Sequence, residues 1–343
     1  MTDLSLPYDQ KADPSHRPTK AAGAGDYVAL MKPRVMSLVV FTGLAGLVAA
    51  PGGVDPVLGA AMIFAIACGA GAAGALNQWY DADIDAKMSR TRMRPIPAGA
   101  VAKEEALALG LVVSALSVIT MLLAANVLAA ALLAFTIIFY AVVYTMWLKR
   151  ATAQNIVIGG LAGALPPAIA WAGATNSLTV DPLILVAIIF FWTPPHFWAL
   201  SLLRSQDYRE AGVPMLPVTH GAAHTRLQIL LYSIVMVPLG LAPAFTGLGG
   251  QIYTAAAAFM GALFLVIAVR VARSRAGDAP DPTGLDLYAA TASDQRAARD
   301  LFAFSILYLF VLFGALLAEH GLRLYAPIPW LSEWVGVGSG SGA

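Results

Sequence analysis

The sequence predicts an all-α fold, a polytopic membrane helix bundle of about nine transmembrane helices. Three observations carry this expectation. Hydrophobic residues make up 59% of the 343 positions and charged residues 12%. A soluble domain carries roughly 25% charged residues, so too few charges remain to cover a solvated surface. The mean hydropathy is +0.72, and the apolar residues fall in long runs that a soluble amphipathic helix would interrupt every turn. Lys and Arg, finally, crowd into alternate loops.

A span needs about 20 mostly apolar residues to cross roughly 30 Å of hydrocarbon. The first run, 31–50, follows the basic entry at Lys32 and Arg34 and stops at the loop Pro51 to Pro56. The second, 56–77, ends at a polar, charged segment. The third and fourth, 105–125 and 128–147, are separated by the short uncharged turn Ala125 to Val127. The fifth and sixth, 155–174 and 180–203, flank the uncharged loop Thr175 to Thr179. The seventh and eighth, 227–247 and 252–271, flank Thr246 to Gln251, and the ninth is 300–318. Glycines such as Gly69, Gly71 and Gly74 read as small residues that let helices approach closely in a bilayer.

The loops fix orientation. Of 21 Lys and Arg residues, all but Arg323 fall on one side: Lys11 to Arg34, Lys87 to Lys103, Lys149 and Arg150, Arg204 to Arg226, and Arg270 to Arg299. The positive-inside rule makes that side cytoplasmic, with the N-terminus in and, after nine spans, the C-terminus out. Residues 1–27 read as a polar cytoplasmic tail, 28–320 as the transmembrane domain and 321–343 as a flexible tail, Gly- and Ser-rich at its end. The first 26 residues lack an apolar h-region, so the first span is expected to serve as the insertion signal. A net charge of +1 favours no nucleic-acid partner. The single cysteine, Cys68, excludes an intramolecular disulfide and a Cys-rich metal site and reads as a packing residue.

The chemistry-bearing segment is NQWYDADIDAKMSRTRMRPIPAG, residues 77–99. Asn77, Asp81 and Asp85 are spaced i, i+4, i+8 and share one helical stripe, from which Asp83 points away. Two carboxylates and an amide offer hard oxygen ligands of the kind Mg²⁺ prefers, usually completed by substrate phosphates. Arg90, Arg92 and Arg94 follow at once as forked donors for phosphate oxygens. Acids and bases together at a membrane surface suggest a diphosphate on a lipid-soluble tail. A solvated acidic helix end beside a positive-inside loop accounts for the same spacing.

The pattern N-x3-D-x3-D followed by R-T-x2-R-P-x-P-x-G, at Asn77, Asp81, Asp85, Arg90, Thr91, Arg94, Pro95, Pro97 and Gly99, resembles the first signature of the UbiA-type intramembrane prenyltransferases. Three further stretches, 144–173, 190–202 and 207–221, together with Lys32-Pro33-Arg34 and 301–313, resemble the heme-farnesylating branch of that family. The likeness spans roughly residues 28–318. It implies nine spans and transfer of a farnesyl group from farnesyl diphosphate to a vinyl group of protoheme (heme B), within heme biosynthesis for terminal oxidases. It also implies an enzyme of the bacterial inner membrane, with a downstream heme-modifying enzyme or oxidase assembly factors as partners. Where many family members carry a second paired-aspartate motif, this chain has Asp207 with Glu210 three residues on and Ala211 four on. That single-Asp form resembles the same branch and makes Asp207 the main protein ligand of any second metal ion.

Lys149, Arg150 and Asn155 lie where the fourth and fifth spans meet the basic side. They read as further diphosphate contacts, although positive-inside anchoring explains the two cations equally well. Asn155 opens an apolar helix with a polar amide, which is harder to explain by anchoring. His196, in WTPPHFW within the sixth span, is an intramembrane ionisable group. It can ligate heme iron, contact a propionate or shuttle a proton; equally, it can be a neutral ring bonded to a carbonyl freed by Pro194 and Pro195. Trp192, Phe197 and Trp198 can wall a porphyrin or prenyl pocket or form an interfacial belt. His220 and His224 read as solvated loop residues. A quinone-precursor or chlorophyll-type acceptor is the nearest rival function. A transporter is the rival from another class, but its site is expected near the midplane on broken helices, not in acids at helix ends.

Overall fold

The structure, a computed structural model, describes residues 22–278 and 291–328. Among these, eight helices are long and apolar enough to cross a membrane, and a bent pair, Ala24–Leu30 with Pro33–Ala49, makes a ninth. The pair forms the first span, and its halves differ in direction by 56°. The second to ninth spans are Pro56–Tyr80, Lys103–Ala124, Val127–Ala151, Asn155–Thr175, Val180–Leu203, Gly221–Thr246, Gln251–Arg273 and Ala292–Gly321. Each of the nine runs expected from the sequence coincides with one of them. The helices overrun the apolar runs mainly on the basic side, where the second continues to Tyr80 and the ninth begins at Ala292. Backbone hydrogen bonding continues there after lipid has given way to water, so hydropathy alone undercounts the helix. The first span likewise begins at Ala24, inside the expected tail 1–27; residues 1–21 of that tail lie outside the described residues.

Local sequence explains the breaks. Lys32 adopts φ 53°, in the left-handed region, and Pro33 opens the longer half of the first span. Proline has no N–H to bond back to the preceding turn, and it disfavours the α conformation in the residue before it. The fifth span is likewise interrupted at Leu165 before Pro166. In the fourth span, residues Phe139–Leu148 are wound as a π-helix, with Thr145 Oγ1 donating to the Tyr140 carbonyl five residues back at 2.8 Å.

Consecutive spans pack as neighbours, and the first span also contacts the fifth and ninth, while the sixth contacts the fifth and ninth. One core, including Met62, Ile66, Met121, Leu133 and Ile169, fills the second to fifth spans. A larger one, including Leu185, Trp198, Phe264, Tyr308 and Phe313, joins the sixth to ninth spans to the first and fifth. Small residues make the close crossings possible. A Cβ on Gly46 would fall on the carbonyl of Pro167, so the first and fifth spans meet backbone to backbone.

On the face opposite the basic loops, polar side chains close the helix ends. Asp55 accepts from the amides of Val57 and Leu58 at 2.9 and 3.1 Å. Asn126 caps the fourth span and donates to the carbonyls of Ala172 and Gly173 at the end of the fifth. Of the segment 321–343, expected to be flexible, the portion to residue 328 is described and is tied down. Gln251 donates to the carbonyls of Ala326 and Pro327, and the Tyr325 hydroxyl donates to that of Gly247. Residues 329–343 lie outside the described residues.

Glu319 is fully buried and accepts from the backbone amides of Gly250 at 2.7 Å and Tyr253 at 2.9 Å. Its carboxylate therefore meets the positive end of the eighth helix and satisfies two otherwise unpaired donors. Glu319→Ala removes both bonds and should lower stability by about 3 kcal/mol, measured by SDS titration of the detergent-solubilised protein. An unfolding midpoint equal to that of the parent protein would refute this role.

Candidate active site

Asn77 sits on the last turn of the second span, and Asp81 terminates it. Asp81 also opens the short helix Ala82–Lys87, which carries Asp83 and Asp85. The helical spacing runs through the junction, because the amide of Asp81 donates to the carbonyl of Asn77 at 2.9 Å and that of Asp85 to Asp81 at 2.8 Å. Asn77, Asp81 and Asp85 are 4%, 0% and 2% exposed, whereas the Asp83 side chain is 55% exposed. The stripe inferred from the four-residue spacing is thus the buried face.

Buried carboxylates need partners, and cations from three segments supply them. Lys149 pairs with Asp81. Arg150 approaches Asp81 at 3.6 Å, binds Asp83 with two bonds of 2.7 and 2.9 Å, and lies over the Tyr80 ring at 4.9 Å. Arg94 bonds Asp85 at 2.7 Å, while Thr91 donates to the Asp85 carbonyl at 2.9 Å. Lys32, at the bend of the first span, donates to Asn77 Oδ1 at 2.6 Å. The Asn77 amide nitrogen donates in turn to Asp81 at 2.8 Å and to Thr145 at 3.1 Å. Three cationic side chains thus meet three carboxylates, and a fourth, Lys32, joins them through Asn77. Arg150 holds the Asp83 carboxyl down to about 2 through its hydrogen bond. Asp83 therefore stays ionised at pH values below its ordinary range, so the contribution of its pair is fully present above that range and is lost as pH falls toward 2.

The two basic loops meet over this network. Ser89 donates to Asp207 at 2.9 Å, and Tyr208, whose hydroxyl is raised chiefly by burial, lies beside Arg90. Ile84, Met88, Ile156, Val213 and Met215 form a small apolar cap between the loops. Asn155 is fully buried, with its amide nitrogen on the Thr152 carbonyl at 2.6 Å and its Oδ1 without a partner. Glu210 accepts instead from Gln206 at 2.9 Å.

Below the acids an apolar pocket runs into the bundle between the first, second, fourth and fifth spans. Lys32 and Gly74 lie toward its polar end, with Tyr140, and Leu133, Gly163 and Ile169 line it further in. Gly74 is one helical turn from Asn77, so the pocket begins where the stripe ends.

His196, Trp192 and Trp198 belong to a different neighbourhood. His196 Nδ1 is 2.7 Å from Ser305 Oγ, and its ring stacks between Trp192 and Phe302 at 4.4 and 4.6 Å. Ser305 itself donates to the Phe302 carbonyl at 2.7 Å, so the imidazole Nδ1 carries the proton donated to Ser305 and Nε2 keeps a lone pair. Trp192 donates to the Ser305 carbonyl at 2.7 Å, and Trp198 is 1% exposed with an unpartnered indole N–H. The helix C-terminal to the two prolines is continuous, and His196 is bonded to a side chain of the ninth span, not to a carbonyl freed by proline. His220 and His224 stack at 5.4 Å on the basic side.

Lys32 was not singled out as a site residue by sequence reasoning. The signal available was a lysine entering an apolar run before a proline, which positive-inside anchoring already explained. The donor set fits a divalent cation: Asp81 Oδ1 is buried and accepts no hydrogen bond, and hard oxygens from Asp85 share its face. For Asn77 to join them, Lys32 has to share or release its oxygen.

Residues 38–290 match the UbiA prenyltransferase family. A protoheme IX farnesyltransferase of Caulobacter vibrioides is 64% identical over 300 residues, covering 86% of this chain and 90% of that protein. One from Hyphomonas neptunium is 59% identical over 332 residues, covering 96% and 99%. The structure of a UbiA homolog from Archaeoglobus fulgidus bound to GPP and Mg²⁺ superimposes with a TM-score of 0.59 at 16% identity, over 85% of this chain and 99% of that one. The fold and the match define an integral-membrane prenyltransferase. The chain belongs to the UbiA prenyltransferase family.

The geometry separates the three aspartates. Asp81→Asn and Asp85→Asn should each lower prenyl transfer more than about 100-fold, and added Mg²⁺ should restore only part of it. Asp83→Asn, which frees Arg150 but leaves the buried face intact, should lose about 3-fold to 10-fold. Rates across a Mg²⁺ titration at matched folded concentration decide this, and equal losses at all three positions would remove the argument from burial.

Proposed function

We propose that the chain transfers the farnesyl group of farnesyl diphosphate to a vinyl group of protoheme IX, giving heme O. The observation that carries the reading is the position of the buried acid–base network at the mouth of an apolar pocket. A ligand that suits both has an anionic head and a long hydrocarbon tail. The acceptor rests on relatives about 60% identical along nearly the whole chain.

In this reading Asp81, Asp85 and Asn77 hold Mg²⁺, and Asp207, which accepts from Ser89, would be the main protein ligand of a second ion. The bound ion neutralises diphosphate charge and makes it a better leaving group. Lys149, Arg150, Arg94, Arg90 and Lys32 donate to diphosphate oxygens, and the unpartnered Oδ1 of Asn155 is free to accept from a metal-bound water. The C1–O bond of the donor breaks, and the diphosphate leaves with the electron pair. The apolar walls exclude water from the allylic cation. The vinyl group then forms a carbon–carbon bond to C1, and the resulting cation takes up water and loses a proton to give the hydroxyl. His196 and the Trp192 and Trp198 rings are proposed for the porphyrin side of the reaction, where the lone pair of Nε2 faces either iron or a proton. The product would pass to a downstream heme-modifying enzyme or to oxidase assembly.

The orientation follows the charges. The basic loops face the cytoplasm, across a bacterial inner membrane, and the site opens on that side. Reporter fusions after Gly53 and after Met93 should signal from opposite sides of the membrane, with Met93 cytoplasmic; two signals from one side would reject the topology.

The direct test is mass spectrometry of heme extracted after purified protein is incubated with protoheme, farnesyl diphosphate and Mg²⁺. A product heavier by a farnesyl group and one hydroxyl is expected. Recovery of protoheme alone, with a prenylated quinone precursor formed in parallel assays, would move the acceptor to another class.

A further inference from the structure

Glycines in this bundle are mostly required by their neighbours. A Cβ on Gly69 would lie 2.8 Å from Leu133 Cδ1, and one on Gly160 would lie 2.9 Å from Thr193 Cγ2. Gly163 differs. It lies in the first half of the fifth span, lines the apolar pocket, and a Cβ built on it meets no atom within 4 Å. It is exposed, whereas Ala162 and Ala164 on either side are buried. Its backbone is helical, and glycine weakens a helix interior relative to alanine. Neither packing nor backbone conformation therefore calls for glycine here; the space in front of it does.

Depth gives that space a meaning. Ile156 packs with Ile84 and Met88 in the cap over the site, so the start of the fifth span is level with the acidic helix. Gly163 is eight residues beyond Asn155, roughly 12 Å further into the bundle at 1.5 Å per residue. It faces the far part of a tail whose head sits on the carboxylates. We infer that Gly163 is a specificity-determining residue, whose missing side chain leaves room for the third isoprene unit of the donor. This rests on the reading of the pocket as the prenyl site. A geranyl tail, one unit shorter, ends before the position; a farnesyl tail passes it.

The test is a graded series, Gly163→Ala, Gly163→Val and Gly163→Leu, in the full-length protein in detergent. Binding of geranyl and farnesyl S-thiolodiphosphate with Mg²⁺ is measured by isothermal titration, and transfer to protoheme is measured alongside. Farnesyl affinity should fall stepwise with side-chain size, by at least about tenfold at leucine, while geranyl affinity stays within about threefold. If the leucine variant does not fold, the alanine and valine steps carry the same gradient. Equal losses for both analogues, or farnesyl binding unchanged along the series, would overturn the inference. Length-dependent binding without any transfer to protoheme would uphold Gly163 and reject the proposed acceptor.

Discussion

A fully buried carboxylate at the end of a membrane helix is the constraint around which this protein is arranged. Asp81 has no water to stabilise its charge, so the fold has to bring compensating groups to it from distant parts of the chain. Lys149 and Arg150 arrive from the end of the fourth span, Asn77 from one turn back, and Lys32 through Asn77 from the bend of the first. Each of these contacts fixes a helix end. The first, second and fourth spans are joined at the basic face by ion pairs and hydrogen bonds. The same groups that neutralise Asp81 are those an anionic ligand would recruit, so the network that closes the fold also serves the site.

The pocket below depends on the same contacts. The bend at Lys32 turns the lysine toward Asn77, while Pro33 restarts the helix along the pocket wall. Were the first span straight, its lysine would be carried away from the network or its wall residues away from the pocket. Lys32 is consequently a boundary residue: it ends the polar site and begins the apolar one.

Much of this was legible in the sequence, and the parts that were not share a physical cause. The nine spans could be read because hydrophobic length is a local property. The stripe of Asn77, Asp81 and Asp85 could be read because a four-residue spacing places side chains on one face wherever the helix goes. The pairing of Arg150 with Asp83 joins residues 67 positions apart, and nothing in either segment announces the other. Lys32 was masked by a sufficient local explanation. The bend, the π-helical segment and the opening at Gly163 are geometries that alternative windings of the same composition would not show; in particular, a glycine kept for packing and a glycine kept for empty space look alike until the neighbours are placed. His196 stands out in the sequence as an ionisable group within a span, yet its bond to Ser305 of the ninth span could not be foreseen.

The change of winding within the fourth span has a further consequence. In a uniform α-helix, inserting or deleting one residue rotates everything beyond it by about 100°. A π segment closes its bonds over five residues, and so can absorb or release one residue by changing how many turns are wound each way. The half of the fourth span that packs among apolar neighbours, Val127–Ile138, is thereby uncoupled in phase from the half that delivers Thr145 and Lys149. The span works as a flexible coupling between two registers: its outer half can follow the demands of the bilayer while its inner half keeps the face it owes to the carboxylates.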